Sequence, residues 1–345
     1  MILNQYRQAS FPPLYPVFLA GLRRMGIGSI RDIRLVQAFL GAGSCLWLMG
    51  IAHRAFSRHE NSLAISVVAA LLLAVYPPAI WYGRQVMTET VFMFLLLSGI
   101  YCLFRSIESK RMHRWLAGAG IFFGLGILCR PTLLPFAFVI PLWIVMVRPD
   151  VRFRRVISYL VPLALIMAPW GARNYRLFHR VIPVTTQAGN ILYLANNPLA
   201  SGGTVSISYY LQAGIYHLGD EEDELTYNQE YGRRAVDFIT ASPMRFLRLC
   251  LRRLAWFYHL DGHHRRPVLL VPFWGVIVLA IAGFWLARER WKATFPLLLL
   301  VINFTAIHMV FPPEGRYRLP VMPAFFLFAA VALIEIYTRL GGNHE

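Results

Sequence analysis

The sequence predicts an all-α polytopic membrane protein of about nine transmembrane helices, with one roughly 90-residue extracytoplasmic loop. Three observations predict it. Only 15% of the 345 residues are charged, where soluble domains carry roughly a quarter. Apolar runs of roughly twenty residues recur along the chain, long enough to cross a bilayer as helices. The remaining charges gather between those runs. The formal net charge of +17 therefore points to anionic headgroups and phosphate-bearing lipids rather than to nucleic acid.

In chain order, the apolar runs are Ile33–Ile51, Leu63–Tyr82, Thr90–Phe104, Trp115–Cys129, Pro131–Val147, Val156–Ala172, Pro267–Ala287, Thr294–Phe311 and Leu319–Tyr337. In lipid a helix satisfies its own backbone, so each run is read as a helix. Trp115–Cys129 and Pro131–Val147 are read as a hairpin hinged at Arg130-Pro131, because merging them would place the next basic cluster on the other face. Three parts follow: membrane helices over 1–172, a large loop over 173–266 and membrane helices over 267–345.

Orientation comes from the short connections. One carries Arg54 and Arg58, another Arg105, Lys110, Arg111 and Arg114, a third Arg148, Arg152, Arg154 and Arg155, and a fourth Arg288, Arg290 and Lys292. All four fall on one side, and the positive-inside rule makes that side the cytoplasm. The opposite connections hold only Arg84, Arg130, Arg316 and Arg318. The C-terminus is then cytoplasmic, and the 173–266 loop lies outside, as long loops do largely regardless of charge. Met1 would also lie outside, yet the first residues show no basic stretch followed by an apolar one. The expectation is a span upstream of Met1, the chain being a fragment or Met1 a misassigned start.

Within the large loop, Asp220–Glu224 opens a helix running through Ile239. Ser242-Pro243 caps the next helix and places proline at its first position. There Arg245, Arg248 and Arg252 share one face, the pattern of a helix lying on a membrane surface. Cys45, Cys102, Cys129 and Cys250 form no CxxC, which argues against a zinc site or redox pair. The absence of a Walker loop, GxGxxG or HExxH leaves ATP-driven transport and metalloprotease chemistry without support.

Charge at membrane level is costly, so it marks candidates. In YPPAIWYGRQVMTETVF, Glu89 could hold a divalent metal or orient a sugar hydroxyl, and Arg84 could neutralise a phosphate. A plain helix start with a snorkelling arginine accounts for the same residues. In FPPEGRYRLPVMP, Glu314, Arg316, Tyr317 and Arg318 suit a lipid phosphate and its first sugar, or else form an interfacial belt. Arg130 is a third candidate, with capping of neighbouring carbonyls as its alternative. Asn196 and Asn197, like Asn190, either make turns or hydrogen-bond a sugar. His259, Asp261, His263 and His264 match no strong zinc spacing and read as a wet juxtamembrane linker.

Taken together, FPPLYPVFLAGL, YPPAIWYGRQVMTETVF, GLGILCRPTLL, APWGARNYRLFHRVIPVTTQAGNILYLANNP, SPMRFLRLCLRRLAWFY and EGRYRLPVMP resemble, in order and orientation, the bacterial GT-C glycosyltransferases of the PMT-like, glycosyltransferase-39-related group. The resemblance implies a GT-C-like fold in a plasma (bacterial inner) membrane. It implies a polyprenyl-phosphate-sugar donor used on the outer face, and a glycan, lipid or protein acceptor. It assigns Glu89 to the acid of the second outer turn, with Mg or Mn as the implied cation. Donor-phosphate binding falls by resemblance to Arg316 and Tyr317, while Arg84, Arg130, Asn196 and Asn197 stand as further candidate substrate contacts on the residue reading above. The family's first-loop acid has no counterpart here, since MILNQYRQAS lacks Asp and Glu. Two other readings stay open: a transporter or flippase of lipid-linked saccharides, and an inactive remnant of the enzyme.

Overall fold

The structure is a computed structural model that describes residues 9–147, 152–203, 206–216, 224–259 and 267–341. Every regular element among them is helical. The helices are α1 (Leu14–Arg24), α2 (Ile30–Ala55), α3 (Ser62–Ala74), α4 (Pro77–Gly83), α5 (Glu89–Glu108), α6 (Met112–Cys129), α7 (Leu134–Val147), α8 (Arg152–Phe178), α9 (Ala188–Ala195), α10 (Ile207–Gln212), α11 (Glu224–Ala241), α12 (Pro243–Phe257), α13 (Pro267–Leu286), α14 (Trp291–Val310) and α15 (Met322–Gly341).

Six of these helices are long and apolar enough to cross a membrane, and the bent pair α3–α4 makes a seventh if it is one broken span. The run Leu63–Tyr82, read as a single helix, breaks by 55°. The cause is local. Pro77 and Pro78 lack the N–H groups a continuous helix needs, and Tyr76 before them takes an extended ψ of 112°. Over Pro131–Val147 and Phe273–Leu286 the helices are apolar but shorter than a standard span.

The chain folds into two compact units. The first contains residues 9–13, Ala168–Arg265 and Phe304–Arg318, so the large loop forms most of it. The second comprises Leu14–Met167, Arg266–Asn303 and Leu319–Glu345.

In the second unit, α5 is the most enclosed span, with 78% of its apolar window buried. Close packing around it depends on glycine. The Phe123 ring of α6 occupies the space a side chain at Gly99 would need. On the next face of α6, Gly120 and Gly124, four residues apart, let the helix lie directly on the Tyr159 and Leu163 backbone of α8. This is the small-residue contact by which helices associate without a hydrophobic drive in lipid. Tyr159 is fully buried and donates its hydroxyl to Ala137 O at 2.8 Å. Further side-chain to backbone ties run from Trp143 Nε1 to Lys292 O (2.8 Å) and from Asn303 Nδ2 to Thr132 O (3.0 Å).

The first unit has its own core, built largely of tyrosine: Tyr193, Tyr210, Tyr216, Tyr227 and Tyr231, joined by Leu194 and Ala235. Tyr227 and Tyr231 meet edge to face at 4.7 Å between ring centroids. Gly189 of α9 and Gly232 of α11 face each other where these helices touch, and the Asn228 side chain accepts from the Gly189 N–H at 2.7 Å.

Candidate functional site

The candidate residues fall into two groups, one in each unit. In the second unit, α6 ends at Cys129 and the chain runs extended through Arg130 into the 3-10 turn Pro131–Leu133. That extended residue points its guanidinium at the start of α5. Arg130 Nη2 donates to Glu89 Oε1 at 2.7 Å, and its Nε donates to Thr88 Oγ1 at 3.0 Å. The Thr88 hydroxyl lies 3.5 Å from Glu89 Oε2. The Glu89 side chain is 1% exposed and that of Arg130 14%. The hairpin between α6 and α7 thus delivers a cation to a buried carboxylate. Both of these Arg130 bonds go to side chains of the Thr88-Glu89 step. Thr88 stands at the N-cap of α5, but its side chain makes no capping hydrogen bond.

Beside this pair lies a cavity of about 410 Å³, walled largely by apolar atoms of α2, α3, α4 and α5. Its polar lining includes Arg34, Arg84, Gln37 and Glu89. Gln37 is fully buried; its Oε1 accepts from Tyr15 Oη (2.8 Å), and its Nε2 donates to Gln85 O (2.7 Å) and Gly83 O (3.1 Å). These bonds pin α1, α2 and the turn after α4 around the mouth. Arg34 and Arg84 are both exposed, so two solvent-facing cations border a greasy hollow that also touches the buried acid. Arg34 and Gln37 escaped the sequence reading, because they sit in an apolar run whose partners come from other helices.

In the first unit, Arg316 forms an ion pair with Glu314 (2.7 Å) and lies over the Tyr317 ring at 5.2 Å. Tyr317 in turn packs on His308, 4.8 Å between centroids, and His308 stacks on Phe257 at 5.3 Å. Arg318 is buried. The turn expected to bind a phosphate is therefore an ordered cluster of arginine, acid and aromatic rings.

Asn196 and Asn197 are both fully buried, and both spend their amides on the backbone. Asn196 Nδ2 donates to Leu192 O (2.9 Å) and Val310 O (3.0 Å), while Asn197 Nδ2 donates to Tyr193 O (2.9 Å) and its Oδ1 accepts from the Leu199 N–H (2.9 Å). These bonds close the end of α9 and tie it to the end of α14.

At the centre of the same region is Arg253, 1% exposed. Its Nη1 donates to Met309 O (2.8 Å) and Val310 O (3.1 Å), and its Nη2 to Ala195 O and Asn196 Oδ1 (3.0 Å for the latter). One guanidinium therefore satisfies terminal carbonyls of both α9 and α14, groups that no helix can satisfy internally. Burial pushes it down to about 10, so it stays charged near neutrality. A second unforeseen tie is Glu224, whose buried carboxylate accepts from the Ala9 N–H and from the Ser10 hydroxyl, both at 2.9 Å. The acids before it in sequence, and Asp261, His263 and His264, lie outside the described residues.

A divalent cation needs several oxygen donors converging. Among the described residues no three His, Cys, Asp or Glu side chains do so. Glu89 contributes a single carboxylate that already holds a guanidinium, so these residues alone do not make a cation site.

Residues 10–171 match the family model described as dolichyl-phosphate-mannose-protein mannosyltransferase. No curated protein matches the chain in sequence. Among solved structures, the chain is similar to the Archaeoglobus fulgidus oligosaccharyltransferase tethered to an acceptor peptide containing the NVT sequon. The TM-score is 0.50 and the identity 13%, over 96% of this chain and 42% of that one. It is also similar to the archaeal oligosaccharyltransferase AglB of Archaeoglobus fulgidus in complex with an inhibitory peptide and a dolichol-phosphate. There the TM-score is 0.51 and the identity 11%, over 99% of this chain and 44% of that one. The chain thus spans less than half the length of these structures. The resemblance read from the sequence strings agrees with these findings: residues 10–171 match the dolichyl-phosphate-mannose-protein mannosyltransferase family model, and nearly the whole chain shares the all-helical fold of the two oligosaccharyltransferases.

Proposed function

We propose that the chain transfers a sugar from a polyprenyl-phosphate-linked donor to an acceptor at the outer membrane face, in a bacterial-type inner membrane. The observation that carries this reading is the buried Glu89–Arg130 pair at the edge of an apolar cavity bordered by Arg34 and Arg84. A lipid-linked phosphate has a greasy tail and an anionic head, and this hollow offers a wall for the first and cations for the second. The family description names a dolichyl-phosphate sugar, and one fold neighbour was solved with a dolichol-phosphate, which supports the same donor class.

The step is a single displacement. The acceptor hydroxyl oxygen bonds to the anomeric carbon, the bond from that carbon to the phosphate oxygen breaks, and its electron pair leaves with the polyprenyl phosphate. The hydroxyl proton passes to the Glu89 carboxylate. Arg84 meets the charge growing on the leaving phosphate. Arg130 holds Oε1 and so orients the carboxylate toward the acceptor.

The test is sugar transfer by the full chain in proteoliposomes supplied with a polyprenyl-phosphate sugar and candidate acceptors. Glu89→Gln should lower transfer by roughly a hundredfold or more with donor retention kept. Transfer undiminished in that variant removes Glu89 from the reaction.

A further inference from the structure

Helix α12 carries a second surface that the transfer scheme does not use. At 3.6 residues per turn its side chains sort into three adjacent stripes. Leu249, Cys250, Arg253 and Phe257 are buried. Next to them, Arg245, Arg248 and Arg252 form a cationic row lining a cavity of about 710 Å³ that Ser242 and Ala200 also border. Beyond that row, Met244, Leu247 and Leu251 are 73%, 49% and 55% exposed. Scattered exposed leucines mean little, but a row at spacings of three and four beside a row of arginines is an amphipathic pattern with a definite partner.

We propose that this face of α12 docks on the membrane surface, with Met244, Leu247 and Leu251 entering the acyl boundary and the arginine row binding the phosphates of anionic phospholipid headgroups. Two observations choose lipid over an acidic soluble partner. The first is position. Arg253 on the buried stripe holds Met309 O and Val310 O, the last carbonyls of the spanning helix α14, and the Tyr258 hydroxyl meets Thr305 Oγ1 of α14 at 2.7 Å. These bonds fix α12 at the level where a span ends. The second is charge. Pro243–Phe257 contains four arginines and no acid. Among the described residues Arg245 and Arg252 donate to neutral backbone carbonyls, Pro198 O and Ser201 O, and Arg245 also lies over the Phe238 ring. Arg248 makes no hydrogen bond or ion pair among the described residues. Three guanidiniums facing solvent, with no carboxylate paired to them among the described residues, are complementary to a surface of phosphodiesters.

The experiment is native mass spectrometry of the full chain in detergent, titrated with phosphatidylglycerol, phosphatidylcholine, inorganic phosphate or polyglutamate. It is paired with hydrogen exchange over residues 243–252 in nanodiscs of either lipid. The wild type should retain phosphatidylglycerol at least roughly tenfold better than phosphatidylcholine, and phosphatidylglycerol nanodiscs should slow exchange in this segment. The triple variant Arg245→Gln, Arg248→Gln, Arg252→Gln should lose the preference while keeping its phosphatidylcholine retention. Arg248→Gln alone breaks no hydrogen bond or ion pair among the described residues and should lower the preference severalfold, which keeps the test valid if the triple variant misfolds. Equal retention of both lipids by the wild type, or an unchanged preference in the single and triple variants, overturns the proposal. So does displacement of the lipid by inorganic phosphate or polyglutamate at equal charge concentration, which would assign the row to a soluble anion or an acidic polymer.

Discussion

Glu89 and Arg130, 41 residues apart in sequence, meet at 2.7 Å with the carboxylate almost wholly buried. A buried pair gains little over an apolar substitute, yet removing one partner is costly because the other is left charged and dry. Arg130→Met should therefore destabilise the chain by about 3–5 kcal/mol. Glu89→Gln should cost less, since the amide oxygen still accepts from Arg130. The double variant Glu89→Gln, Arg130→Met should recover part of the loss. Thermal unfolding in detergent, arranged as a double-mutant cycle, measures the coupling; additive effects would mean the pair is not formed.

Arg253 should be the most sensitive position of the first unit. Its guanidinium serves four acceptors on two segments, which a lysine ammonium on a flexible stem cannot reproduce in one plane. Both Arg253→Lys and Arg253→Met should destabilise by about 3 kcal/mol or more, leaving buried carbonyls unsatisfied. Hydrogen exchange should rise at the ends of α9 and α14 while α5 and α6, in the other unit, stay protected. Uniform loosening of both units would refute a local clamp.

Glu224 ties the segment before α1 to α11 through two hydrogen bonds. Glu224→Ala removes both acceptors and leaves the Ala9 N–H buried, at a cost of about 1–3 kcal/mol. Glu224→Gln keeps one acceptor oxygen and should fall between. Exchange at the Ala9 and Ser10 amides, read by mass spectrometry of the N-terminal peptide, should increase in the order wild type, Gln, Ala.

These ties explain what the sequence could and could not disclose. Spans such as α5 and α15 are legible because lipid imposes apolarity over a fixed length, a one-dimensional signal. The bend at Tyr76 was also legible in principle, since Pro77 and Pro78 mark it; the continuous hydropathy of Leu63–Tyr82 hid it. The start of α12 was half legible: Ser242 and Pro243 stand where expected, but the Ser242 side chain caps nothing. In sequence nothing sets Arg253 apart from the other arginines of its helix, because its partners lie 56 to 58 residues away. Glu224 is 215 residues from Ala9, and no local pattern encodes such a pairing. Helical spacing did separate the Arg245 row from the buried stripe, because 3.6-residue periodicity needs no knowledge of the partner.

The contact between α6 and α8 gives a last test, with opposite signs at two glycines. A methyl at Gly120 would collide with Tyr159 O and press on the backbone of Leu163. Tyr159 is anchored by its hydroxyl to Ala137 O, so α8 cannot retreat without breaking that buried bond. Gly120→Ala should therefore lower stability by about 1–3 kcal/mol, despite the better helix propensity of alanine. Gly171, within α8, has nothing within 4 Å of where its Cβ would sit. There the propensity term acts alone, and Gly171→Ala should raise stability by up to about 1 kcal/mol. Melting curves of the two variants side by side separate packing from propensity: a gain at Gly120 would show that the helices are not in backbone contact.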